Sequence, residues 1–286
     1  MVDIGFLLAA VARNASAIVL AVLGESIAER GGVLNLGLDG VMLVGGLTGI
    51  AASILTGSLE AGVLLGGLAG LVFTLLYAFL VNALKLNQIV AGITVYMLGV
   101  ALTTMLGKPY AGVPPPPPLT IGGVEIVVLV AYALPLLTYL LFTVTRFDVK
   151  LRIVGDDPLA ADMAGVDVSM VRTVALMLNG FFAGMAGAVY VMLVAGRWRA
   201  LATGGAGWLA LALTPMTLWE PLLSYIPGLV YSAALIAKSL SLQWLPDELR
   251  EASPYIIVLA VAALVVKVVK SRSPRSLGRV YVHAAA

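Results

Sequence analysis

The sequence contains no cysteine and a single histidine, His283, close to its end. The first absence excludes disulfides and thiolate chemistry and leaves the redox compartment unread. The second removes any histidine-based metal site or Ser/His/Asp triad. Charge is also scarce: Asp, Glu, Lys and Arg make up 11% of the 286 residues, with a net charge of +2. Ordinary soluble domains are about one quarter charged, and so small an excess of positive charge excludes nucleic acid as the expected partner. No Gly-x-x-x-x-Gly-Lys-Ser/Thr loop is present to hold nucleotide phosphates. A cleavable signal peptide is not expected either. The first apolar run carries Arg13 and Asn14 and leads into Glu25 and Glu29 without a small-residue cleavage pattern. No catalytic residue and no metal ligand is assigned.

What is present is apolar sequence. Hydrophobic residues make up 61% of the chain, and several runs reach the ~20 residues needed to cross a ~30 Å hydrocarbon core. The expected fold is an all-α polytopic membrane protein with about 8–10 transmembrane helices. Spans are expected near 5–23, 40–56, 61–82, 88–107, 124–145, 171–195, 205–219, 222–242 and 254–270. Lys85, the group Arg146, Lys150 and Arg152, and the group Lys267, Lys270, Arg272, Arg275 and Arg279 all fall on one side if nine spans are counted. The positive-inside rule makes that side cytoplasmic, with the N-terminus outside. Arg197 and Arg199 then lie outside, against the rule. The expected location is the cytoplasmic (inner or plasma) membrane, with the lipid bilayer as the first partner.

One transmembrane domain is expected over 1–286: a first half 1–146, a cytoplasmic segment 147–170, a second half 171–270 and a cytoplasmic tail 271–286. The halves start on opposite sides, the arrangement of inverted repeats. Each carries a Gly-rich interruption, 31–37 in the first and 204–207 in the second. The piece from Trp208 to Trp219 contains Pro215 and is too short to span, so it is expected to be broken or re-entrant. Irregular backbone at membrane depth must line a path or be buried in protein. Asn35 and Gly37 of the first interruption, Gly205 and Trp208 of the second, and the polar or aromatic Asn87, Gln88, Tyr96 and Asn179 are the candidate translocation residues. They suit a neutral, hydrogen-bonding solute or serve as glue between helices. Glu25, Glu29 and Arg30 are expected to hold the cytoplasmic edge. The glycine pairs 45/49, 66/70 and 180/184 are expected to pack helices closely.

The mixed-charge stretch 146–172 holds a helix-start signal, Asp157 as N-cap and Pro158 in the first helical position. Good helix formers follow, and Gly165 can end a helix of about two turns. A short capped helix across a cytoplasmic mouth is a lever for a partner. On the opposite side, five consecutive prolines at 114–118 form a stiff polyproline II rod.

Three stretches carry a resemblance. The run Gly32-Val33-Leu34-Asn35-Leu36-Gly37-Leu38-Asp39-Gly40 is similar to a motif of nucleoside-type permeases. The segment 151–166, with Ala160, Ala161, Asp162 and Gly165, resembles a cytoplasmic coupling segment. The Gly-rich 179–187, the Trp219-Glu220-Pro221 triplet and the tail residues Leu277, Gly278, Arg279 and Tyr281 follow the same pattern. Over essentially its whole length the chain resembles the membrane subunit of an ABC importer in the branched-chain amino acid and simple-sugar permease superfamily, nearest the guanosine or purine nucleoside type. Asp148, Tyr96 and Glu220 depart from that pattern, which commonly has Gly, Asn and Asn there.

The resemblance implies a transport subunit, not an enzyme, importing a nucleoside or related sugar-containing solute by alternating access. It implies no cofactor in this chain, with ATP and Mg bound by a partner ATPase that grips Asp157, Pro158, Ala160, Ala161, Asp162 and Gly165. It implies a second homologous permease, as heterodimer or homodimer, and an extracytoplasmic solute-binding lipoprotein. A branched-chain amino acid or simple-sugar ABC permease, or an ATP-independent secondary transporter, stands as the alternative.

Overall fold

A computed structural model describes residues 4–240, 244–269 and 273–281. Lys270, Arg272 and His283 lie outside the described residues. The described chain is almost wholly helical: α1 (Ile4–Arg30), α2 (Leu38–Thr56), α3 (Leu59–Ala78), α4 (Gln88–Leu106), α5 (Ile126–Val144), α6 (Phe147–Asp156), α7 (Pro158–Met163), α8 (Val168–Val189), α9 (Ala206–Leu213), α10 (Tyr225–Leu240) and α11 (Asp247–Val269). Among the described residues, seven segments are long and apolar enough to cross a membrane, formed by α1 to α5, α8 and α10. The strands among the described residues are a two-residue pair, Thr120–Ile121 with Val124–Glu125, in the loop after the proline run.

Small residues set the packing at the centre. Helices α3 and α8 run antiparallel, and α2 lies against both. A methyl group built at Gly66 of α3 would sit 2.6 Å from the Gly45 carbonyl of α2 and 2.9 Å from the Ala188 Cβ of α8. One at Gly180 would sit 2.7 Å from the Gly70 carbonyl. Those methyls would strike backbone carbonyls and the short side chains of Ala188 and Thr74, so the glycines let three helices approach closely, as small-residue interfaces in membranes do. The three glycine pairs singled out above serve this packing. Helices α3 and α8 also end alike, each in a five-residue π turn, Phe79–Ala83 and Tyr190–Val194.

The second interruption takes the expected form. Helix α9 has eight residues and runs into a 3-10 turn, Thr214–Thr217, that carries Pro215. It is a short rod, not a span. The first interruption keeps its expected bounds, but the span before it is longer than expected. Helix α1 continues through Glu25, Ser26 and Glu29 to Arg30, so the first span reaches 30, not 23. Only 31–37 is irregular. The two carboxylates lie on that helix and are buried, at 0% and 2% exposure. Their partners, described below, make that burial tolerable.

The stretch 146–172 holds more helix than its single cap signal announces. Helix α7 has Asp157 as N-cap, its carboxylate accepting from the Leu159 and Ala160 amides at 3.1 and 3.0 Å. A ten-residue helix, α6, precedes it and buries Leu151 and Val154 on one face. Gly165 ends α7 with a left-handed φ of +79°, which a side chain would strain. Lys85, Arg146, Lys150, Arg152, Lys267, Arg275 and Arg279 gather at this end of the bundle, which the positive-inside rule makes cytoplasmic.

Candidate functional site

A broken backbone inside a membrane needs a partner for every exposed amide and carbonyl. Segment 31–37 finds them on four helices. The Glu25 carboxylate of α1 accepts from the Asn35 amide at 3.0 Å. Gln88 of α4 accepts from the Leu34 amide at 2.8 Å and donates to the Gly32 carbonyl at 3.3 Å. The Tyr77 hydroxyl of α3 donates to the Leu34 carbonyl at 2.6 Å. The Asn35 side chain accepts from the Gly37 amide at 3.0 Å. Arg172 of α8 donates to the Gly31 carbonyl at 3.1 Å.

Asn35 and Asn179 meet at the centre of this set. Asn35 Nδ2 donates to Asn179 Oδ1 at 2.7 Å, and Asn179 Nδ2 donates to the Glu25 carboxylate at 2.8 Å. With the Asn35 amide on the other oxygen of Glu25, three residues close a ring of hydrogen bonds, each 0% exposed. The ring joins the two halves of the chain. In this conformation it is a sealed latch, not a wetted lining.

A second junction brings the two interruptions together. Asp39, at the start of α2, accepts from the Gly207 amide in the first turn of α9 at 2.9 Å. A carboxylate at a helix N-terminus satisfies an orphan amide and the helix dipole. Beside it Tyr96 of α4 and Trp208 of α9 meet edge to face, with centroids 5.3 Å apart. Both are partly exposed, and Gly205 turns the chain into α9 with φ +83°. Of the sequence candidates, then, Asn35, Gly37 and Asn179 form one cluster and Tyr96, Gly205 and Trp208 another. Gln88 braces the broken segment. Asn87 stands apart as the exposed N-cap of α4, accepting from the Ile89 and Val90 amides.

Sequence reasoning did not foresee the role of the tail. Ser276 donates its amide to the Gly155 carbonyl of α6 at 2.9 Å and takes a hydrogen bond from Arg172 at 3.1 Å. Gln88 reaches the Arg279 carbonyl at 3.0 Å. Lys85 and Arg172 lie over the Tyr281 ring at 5.2 and 5.9 Å. The tail thus straps α6, α7 and the start of α4 and α8 into one cytoplasmic plate. Burial, and a hydrogen bond to Asp162 of α7, raise the Tyr281 phenol to about 12. A raised value means that its contribution is complete below the ordinary phenol value and fades only as pH rises through 12. Tail docking should therefore not change between about pH 6 and pH 9. Tyr281→Phe should loosen it by about 1 kcal/mol, since the hydrogen bond to the half-buried Asp162 carboxylate is lost. Proteolytic nicking of the tail, faster in the variant at constant pH, is the measurement.

The coupling candidates split by face. Asp157, Ala160 and Gly165 are exposed on α7 and its end, as are Leu159 at 48% and Met163 at 87%. Ala161 is fully buried, Pro158 and Asp162 half-buried. Among the described residues no cluster of acidic or histidine side chains could hold a metal ion.

Comparison with known proteins agrees with this architecture. The family described as "Branched-chain amino acid transport system / permease component" matches residues 7–262. A Haloferax volcanii protein provisionally named a glucose ABC transporter permease is 33% identical over 265 residues, 84% of this chain and 80% of its own. The guanosine ABC transporter permease of Bacillus subtilis is 26% identical over 94% of this chain and 93% of its own. The nucleoside ABC transporter permease of Lactococcus lactis is 24% identical over 91% of each. No solved structure matches the chain. Seven apolar helices and these relatives make it a multi-pass membrane protein and a transport subunit, not an enzyme. The chain belongs to the branched-chain amino acid transport system permease family.

Proposed function

We propose that this chain is the permease of an ATP-driven importer that takes up a nucleoside or a related sugar-containing solute. A cytoplasmic ATPase binds ATP and Mg and grips α7, a second permease completes the path, and an external lipoprotein delivers the solute. The observation that carries the reading is α7 itself. It is a capped helix that presents Leu159 and Met163 to the cytoplasm on a plate strapped by the tail. Exposed apolar side chains of that size on a helix with no partner mark an interaction site. The partly exposed Tyr96–Trp208 pair suits stacking on a solute with a flat base. A simple-sugar solute is the second reading, favoured by the 33% identity to the protein named a glucose permease.

Ala161 is packed inward, so a large residue there would displace α7 as a whole. Met163→Asp is the cleaner probe, because the side chain is 87% exposed. The variant should insert with a stability within about 0.5 kcal/mol of the parent, as surface changes do. ATP hydrolysis stimulated by the guanosine-loaded binding protein should fall about tenfold or more in the assembled complex, the scale of a lost interface hot spot. Unchanged stimulation would remove α7 from the ATPase contact.

A further inference from the structure

Two of the departures from the family pattern, Asp148 and Glu220, are 72 residues apart in sequence yet share the same two arginines. Arg30, at the end of α1, lies 2.8 Å from Asp148 and 3.4 Å from Glu220. Arg152 of α6 lies 3.1 Å from Asp148 and 2.9 Å from Glu220. Glu220 follows a strained elbow. Leu218 and Trp219 both hold left-handed φ, +51° and +59°, which non-glycine residues rarely adopt. Such strain persists only where neighbours over-determine it. Here Glu29 accepts from the Trp219 indole at 2.7 Å, and Arg30 donates to the Trp219 carbonyl. The elbow ends the apolar rod Ala206–Thr217. At about 1.5 Å per residue the rod is ~18 Å long, and its far end carries Gly207 and Trp208, which hold Asp39 and Tyr96.

We infer that Arg152 and Glu220 are positioning residues that tie α6 to this elbow, so that a displacement of the cytoplasmic plate moves the rod and, with it, the Tyr96–Trp208 junction. The inference rests on the importer reading for what drives the plate, but the linkage itself is a property of the chain. The pair suits the task. Arg152 and Glu220 side chains are 55% and 37% exposed, so their attraction contributes little to stability. Arg30 is different: at 5% exposure it is the buried partner of Asp148 and of the Trp219 carbonyl, so its loss would cost the fold as well as the linkage. A cavity of about 500 Å³ opens beside the cluster, lined in part by Arg152, Glu220, Tyr139 and Phe142, which leaves room for the elbow to shift.

Because the sequence has no cysteine, Arg152→Cys/Glu220→Cys introduces the sole thiols. A short bis-methanethiosulfonate reagent then replaces the ion pair by a reversible covalent bridge. With the thiols free, the amides of 206–217 should exchange hydrogen about threefold faster than in the parent, the scale of a lost exposed ion pair, because local opening is less opposed. ATP hydrolysis stimulated by the guanosine-loaded binding protein should fall about fivefold or more in the complex. Bridging should bring both within about twofold of the parent, and reductant should undo the rescue. Parent-like exchange with free thiols would overturn the linkage, and so would a bridged protein that stays impaired. If exchange follows the bridge but the parent complex shows no response to guanosine, the linkage stands and the nucleoside-importer reading falls.

Discussion

Asn35→Leu is expected to reduce uptake more than about tenfold and to destabilise the chain by about 2–6 kcal/mol, the cost of two buried polar groups left without partners. The groups are the Asn179 amide oxygen and the Gly37 amide, which Asn35 now satisfies at 2.7 and 3.0 Å. Leucine fills the same space, so the effect does not come from a cavity. Nor does it come from the hydrogen bond itself, since one such bond between membrane helices averages only about 0.6 kcal/mol. It comes from orphaned groups in a site that no water reaches, with all three ring members fully buried. Thr94→Leu makes the contrast. Thr94 is an exposed polar residue on α4 whose hydroxyl donates only to the Val90 carbonyl one turn back. Its loss should stay within about 0.5 kcal/mol. Thermal unfolding in detergent and uptake by reconstituted complex compare the two. Parent-like uptake from Asn35→Leu would remove the ring from the transport cycle.

Gly184→Val should prevent the chain from accumulating as a folded protein. A methyl at this position would lie 2.9 Å from the Gly70 Cα and 3.1 Å from the Gly66 carbonyl carbon, both backbone atoms of α3. No rotamer relieves such a clash, so α3 and α8 must separate, and the contact of both with α2 opens too. Overpacking a tight core commonly costs 1–3 kcal/mol; a β-branched residue against backbone should exceed that, at about 4 kcal/mol or more. Gly165→Ala is the comparison, because nothing lies within 4 Å of a methyl there and only the φ of +79° resists it. That change should cost about 1–2 kcal/mol. Yield of monodisperse protein after extraction separates the two.

The membrane class, seven of the nine expected spans and the helix cap at Asp157 were legible because each depends on residues near one another in sequence. Hydropathy over ~20 residues reveals a span, and an Asp-Pro step reveals a helix start. The extent of α1 was not legible. Glu25, Glu29 and Arg30 look like an interruption when each is weighed alone, yet they are helical. Their partners, Asn179, Trp219 and Asp148, lie more than a hundred residues away. Local patterning cannot see a carboxylate paid for by a distant amide. Helix α6 was hidden for a related reason: its apolar face, with Leu151 and Val154, is interleaved with the charges that made 146–172 read as a loop. The Gly-rich interruptions were visible as breaks, but not that Asp39 of one caps the helix of the other.

The importer reading is tested most directly by reconstituting the chain with its partner permease, ATPase and binding lipoprotein in vesicles and following labelled guanosine. The account predicts accumulation inside the vesicles that requires ATP and the binding protein and is competed by other nucleosides. Uptake by this chain alone, driven by an ion gradient with no ATPase present, would contradict it.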